Sequence, residues 1–102
     1  MIQINVHAGN QAEKQVHELC EALHHARVWS ITDRRSTRHL RLVHSSGTVH
    51  GSVKRVRSKD PEVLAFDCTA KDKAQEAITA GRFINLVLRD LQQVSDINIH
   101  RA

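Results

Sequence analysis

Residues 38–57 read RHLRLVHSSGTVHGSVKRVR, and the alternation in this stretch decides the fold. Leu40 and Leu42 flank Arg41, while Val49, Gly51 and Val53 interleave with His50 and Ser52. A period of two is that of a strand with one face buried and the other in water. Between the two runs, SSGT supplies a turn in which Gly47 can take a positive φ. The pattern predicts strands at about 38–44 and 48–57, joined as a hairpin.

Upstream, Ile2, Ile4 and Val6 alternate with Gln3, Asn5 and His7, which predicts a half-buried first strand. Asn10 is placed as a helix N-cap, with Glu13 as its capping-box partner. In the helix predicted over 11–26, Ala12, Val16, Leu19, Leu23 and Ala26 share a stripe about 80° wide at roughly 100° per residue. Downstream, SKDPE closes the hairpin, because Pro61 lacks an N–H and restrains Asp60 to extended or turn geometry. VLAFDC at 63–68 reads as a third strand of this run, with Leu64, Phe66 and Cys68 on one face.

Thr69 and Asp72 form a second capping box, opening a helix predicted to reach about Val94. Residues 78–91, ITAGRFINLVLRDL, are apolar all around the wheel, and such a helix must be covered on most faces. Gly81 costs about 1 kcal/mol relative to Ala inside a helix, so it marks a close packing point or a break. DINIHRA at 96–102 alternates Ile97 and Ile99 as a short last strand. INVH at 4–7 and INIH at 97–100 are an internal echo, too brief to indicate duplication.

The expected architecture is therefore α+β: an antiparallel sheet of three to five strands with two helices on one face. The element order is β-α-β-β-β-α, with a final β. With 102 residues the chain, 1–102, is read as a single domain able to bury one core without staples. No apolar run approaches the ~18 residues of a membrane span. The start of the chain lacks the basic and apolar regions of a secretory signal. Cys20 and Cys68 lie far apart in no metal or redox motif, and read as reduced thiols. These features predict a cytoplasmic protein with no cofactor.

Net charge is +4, with a pI near 9.6, but the charge is concentrated. Residues 31–60 hold eight Lys/Arg and two acids, a balance of +6, whereas the other seventy-two residues carry −2. That asymmetry predicts a polyanionic partner, whether nucleic acid, an anionic membrane or an acidic protein, and of these nucleic acid or an acidic protein is expected, not a membrane. The expected phosphate contacts are Arg34, Arg35, Arg38, Arg41, Lys54, Arg55 and Arg57. Arg suits this work because its planar fork meets phosphate oxygens bidentately, and each neutralised phosphate releases counterions. The opposing expectation is that an antiparallel sheet simply keeps one charged, solvated face.

With no Tyr, two Phe and one Trp, the chain is poor in the rings on which single strands stack. A duplex read through its backbone is the preferred partner. The α-β-β-β-α order expected across 11–94, with Lys71 and Lys73 starting the second helix, is similar to that of double-stranded RNA-binding domains. The family's glycine-rich turn and tight lysine cluster are absent.

Eight histidines raise the question of chemistry. His17, Glu21 and His24 share about 60° of the first helix, yet they form no HExxH motif and lie on the solvated face. His39, His44 or His50 beside Arg41 or Lys54 have the residue types of a metal-independent nuclease, but odd and even strand positions face apart. No GxSxG or P-loop motif accompanies the serines. The enzyme question stays open and leans toward no activity, with a metal-independent small nuclease as the third reading; a metal site is not expected. The rival to polyanion binding is a protein-interaction or regulatory module. Phe83, Leu86 and Leu88 of the apolar helix are the expected interface, of a homodimer in the first reading and of a dimer or docked partner in the second.

Overall fold

The computed structural model describes residues 1–23, 26–34 and 39–102, with Asp33 and Arg34 described by backbone alone. In chain order the elements are β1 (Ile2–His7), a 3-10 turn (Gly9–Gln11), α1 (Ala12–Leu23), β2 (Trp29–Arg34), β3 (Leu40–Ser46), β4 (Val49–Val56), β5 (Val63–Ala70), α2 (Lys73–Asp90) and β6 (Asp96–Arg101). The strands make one sheet in the order β2-β3-β4-β5-β1-β6, with every neighbouring pair antiparallel. The α+β class is as expected, but the described residues contain six strands, beyond the predicted three to five.

The additional strand is β2. Its sequence WSITDR alternates Trp29 and Ile31 with Ser30 and Thr32, but its polar end hides the pattern beside the basic run. Pairing with β3 places Trp29 opposite His44 and Ile31 opposite Leu42, with an irregularity between Ile31 and Asp33. The segment between the helices therefore runs α-β-β-β-β-α, which removes the likeness in element order to double-stranded RNA-binding domains.

The boundaries of both helices also move. Asn10 lies inside the 3-10 turn, which Gly9 enters at φ 74, and no side chain caps that turn. Asp72, rather than Thr69, caps α2: its carboxylate accepts from the Gln75 N–H at 2.8 Å, while Thr69 belongs to β5. α2 stops at Asp90, because Leu91 turns to extended geometry at φ −105 and ψ 124. Ala26 is not helical, and residues 24 and 25 lie outside the described part.

Both helices cover the face that carries Ile2, Ile4 and Val6 of β1, Leu64, Phe66 and Cys68 of β5, Leu40 and Leu42 of β3, and Val53 of β4. α2 lies over β4, β5 and β1, and α1 reaches β2. Phe83 is wholly buried from α2, edge-on to Phe66 at 4.8 Å and to Trp29 at 6.1 Å between ring centroids. Burying one such side chain contributes about 1.5–3 kcal/mol.

Helix and hairpin meet most closely at Gly51. A Cβ there would stand 2.7 Å from Thr79 Cγ2 and 2.8 Å from its Cβ, closer than real carbon atoms approach. Gly81, by contrast, is exposed within an unbroken helix, and a Cβ added there would meet nothing within 4 Å. The close-packing glycine is on the strand, not the helix.

Candidate polyanion interface

Strand parity and register determine where the basic residues stand. Even-numbered positions of β3, and odd-numbered positions of β4, turn toward the helices. Arg41 and Lys54 therefore emerge on the opposite, outer face, both exposed, as direct cross-strand partners. Neither helix covers this face. The same register continues the row outward to Asp33 on β2 and to Asp67 on β5. The row of positions thus reads acid, base, base, acid. Like charges set directly opposite repel, and Asp67 beside Lys54 offsets part of that cost.

Arg55 does not join the row. It lies on the helix side, where its guanidinium pairs in two-pronged fashion with the Glu13 carboxylate of α1, at 3.2 Å for Nη1 to Oε2. Arg57 and Lys59 are exposed just past the end of β4. Arg34 closes β2 by its backbone, and Arg35 and Arg38 lie outside the described residues. The described basic positions thus gather at one end of β2, β3 and β4. The other end of the hairpin, Ser45 to Val49, carries no fixed charge.

Beyond the cations the outer face is polar. Ser45 Oγ and His50 Nδ1 are 3.0 Å apart, Ser52 and Thr69 hydroxyls 3.1 Å, and Asn98 and His7 side chains 3.0 Å. All three aromatic rings of the chain other than histidine, Trp29, Phe66 and Phe83, are buried on the helix side. No base-stacking platform is present on the outer face among the described residues. Sequence reasoning missed Asp67, although its parity in VLAFDC opposes that of Leu64, Phe66 and Cys68 and placed it outward.

The histidines of the hairpin are divided by the sheet. His50 is exposed on the outer face, and His44 is fully buried on the helix side against Trp29, 4.9 Å between centroids. His44 Nε2 stands 3.1 Å from Arg82 Nη1. Burial foremost, then the Arg82 charge, lower its pKa below 6.5, with the Val49 backbone pulling weakly the other way. Such a pair cannot share one substrate as acid and base.

Among the described residues, no three metal-ligating side chains come together; His24, of the helical trio weighed above, lies outside them. Cys20 and Cys68 are both buried, and neither is in a disulfide. Burial, and next the charge of Glu76, push the Cys68 thiol up to about 11, which keeps it protonated and unreactive near neutral pH.

The three helix residues expected at an oligomer interface separate. Phe83 and Leu86 belong to the chain's own core, while Leu88 is 60% exposed. The burial follows from α2 packing: its sheet-facing stripe is Thr79, Ala80, Phe83, Leu86 and Val87. Leu88 instead joins Ile84, Val94, Ile97 and Ile99 around a shallow apolar hollow of about 290 Å³ beside β6. No helix among the described residues is long and apolar enough to cross a membrane. Neither a protein-family model, nor a curated protein, nor a solved structure matches the chain.

Proposed function

We propose that this protein binds nucleic acid, or a polyanion of like charge density, through the outer face and basic end of β2, β3 and β4. The observation that carries this reading is the opposition of Arg41 and Lys54 on a sheet face that no helix covers. A phosphate bridging the two relieves their mutual repulsion and accepts the bidentate geometry that Arg offers. Arg57 extends the contact past β4, and Arg34, Arg35 and Arg38 are its further members by position in the sequence. The burial of all three large aromatic rings favours a duplex contacted through its backbone over a stacked single strand.

Fluorescence anisotropy with labelled duplex RNA, duplex DNA and single strands tests this between about 50 and about 300 mM salt. About three to four phosphate contacts give a log–log salt slope of roughly −3 for a duplex. Binding that survives Arg41→Glu with Lys54→Glu refutes the hairpin as the contact.

A second reading is favoured by one further observation: β6 is an open edge whose sequence is suited to pair with itself. β1 already lays Ile4-Asn5-Val6 antiparallel against Ile99-Asn98-Ile97. A second copy of β6, centred on Asn98, offers the same apolar-Asn-apolar pattern to the free edge and sets Asp96 opposite His100. In that register Ile99, 58% exposed, lies opposite Ile97 of the second copy, and Leu88, 60% exposed, flanks the junction. Sedimentation equilibrium of the wild type and of Leu88→Asp decides this, since Leu88 is exposed and its loss leaves the core intact. A wild-type monomer at high concentration ends the reading.

A further inference from the structure

A second cationic site lies on the helix side of the sheet, lined by residues of α1, α2, β2 and β3. On α2, Arg82, Asn85, Leu86 and Arg89 follow the i, i+3, i+4, i+7 spacing of one helix stripe and face a groove of about 660 Å³. Arg27, on the connection between α1 and β2, lines the same groove, as do His44 and Ser46 of β3. Three arginines and no Asp or Glu line it among the described residues. The volume falls within the range of small-molecule sites, roughly 300–1,000 Å³.

Charge compensation inside the groove is incomplete. Arg89 is satisfied by Asp90, through two bonds of 3.0 Å. Arg82 has no carboxylate partner among the described residues; its contact is the His44 imidazole at 3.1 Å. A guanidinium only donates, so His44 Nε2 accepts and the ring's proton sits on Nδ1. The imidazole is therefore neutral and offsets none of the Arg82 charge. Four of the five guanidinium donors are left for other acceptors. Arg27 likewise has no carboxylate partner among the described residues. The C-terminal end of α1 brings about half a negative charge, small against two uncompensated guanidinium groups.

We propose that this groove binds the phosphate or pyrophosphate group of a small molecule, held by Arg82 and Arg27 with Asn85 donating alongside. Planar guanidinium groups from two segments that line one groove suit an oxyanion, while Ala22, Ala26 and Leu86 offer apolar contact to the remainder of the ligand. The site lies across the sheet from Arg41 and Lys54 and does not rest on nucleic-acid binding by the hairpin. His44 reports on it. A bound anion offsets the Arg82 charge that helps hold the imidazole neutral, and so raises the pH at which His44 takes its proton.

The test is a titration of the full chain with inorganic phosphate and with pyrophosphate at constant ionic strength, followed by NMR of the His44 ring. The expected result is saturable binding, tighter for pyrophosphate, with the His44 titration displaced to higher pH. Arg82→Gln and Arg27→Gln each weaken binding about tenfold, whereas Arg41→Glu with Lys54→Glu changes it less than about twofold. Arg27 is exposed on the connection to β2, so its variant keeps the test decisive if Arg82→Gln disturbs the fold. The proposal is overturned by a titration that does not saturate, or by folded Arg27→Gln and Arg82→Gln that bind like wild type. It is equally overturned if the hairpin variant loses binding as strongly as the groove variants, because the attraction is then diffuse.

Discussion

Arg41 and Lys54 on the outer face, and Arg27 and Arg82 in the groove, lie on opposite sides of one sheet and differ in the positions that flank them. The outer pair comes from the most basic part of the sequence, yet its row carries Asp33 and Asp67 at its two ends. The groove arginines come from segments with no excess of positive charge, yet Arg82 faces a neutral histidine and no described acid lines the groove. Arg55 makes the same point within the hairpin, since Glu13 occupies it from forty-two residues away. Charge density along a chain and uncompensated charge in space are different quantities. Binding depends on the second.

The comparison can be broken or sharpened experimentally, beginning where the effect is greatest. Both regions stand on Phe83, whose ring meets Trp29 beneath the groove and Phe66 beneath β5. Phe83→Ala is expected to cost about 3–5 kcal/mol in urea unfolding, independently of protein concentration. A concentration-dependent loss would return Phe83 to an interface between chains.

Charge reversal separates the two faces. Arg41→Glu with Lys54→Glu is expected to weaken duplex binding at least tenfold, about 1.4 kcal/mol, with the melting temperature little changed. An equal loss from Arg82→Gln would mean that one ligand reaches both faces. Arg57→Gln, at the margin of the outer face, should lower the magnitude of the salt slope by about one.

His44 gives a pH signature specific to the groove side. Its folded pKa is lowered, so as pH falls below about 6.5 the unfolded chain binds a proton there that the folded chain does not. Stability from this residue is therefore present above that pH, and is lost as pH drops toward the folded value. In His44→Leu the decline between about pH 7 and pH 5 should be shallower, measured by urea midpoints. An unchanged decline would place the acid sensitivity elsewhere.

The smallest effect is expected at Arg55. Arg55→Gln loses a largely screened pair, with Glu13 59% exposed, and should cost under about 1 kcal/mol while leaving the salt slope of duplex binding unaltered. A reduced slope would show that Arg55 leaves Glu13 to meet phosphate.

Much of the fold was legible where one face of an element is buried and the other wet. β1, the β3–β4 hairpin and β5 declared themselves by alternation, because a one-residue slip would turn Leu42, Val53 and Phe66 into water. β2 did not, since a short edge strand with a polar end shows too few alternations. The helix limits shifted for local reasons: a 3-10 turn absorbed Asn10, and Asp72 capped α2 directly. Of the candidate site, Arg41 and Lys54 were legible as outward residues, and the inward turn of Arg55 was already implied by its parity with Val53. Asp67 as a flanking charge required knowing that β5 lies beside β4 in that register.

By itself the sequence determined the class of this protein, α+β with a basic hairpin, because hydrophobic periodicity is a local property that burial enforces residue by residue. Only the tertiary structure decided which charges are matched. It closed Arg55 onto Glu13, carried the acidic positions of β2 and β5 to the flanks of Arg41 and Lys54, and set Arg27 and Arg82 on one groove. Coulomb interactions depend on distance and on the surrounding dielectric, and neither can be read from separation along the chain.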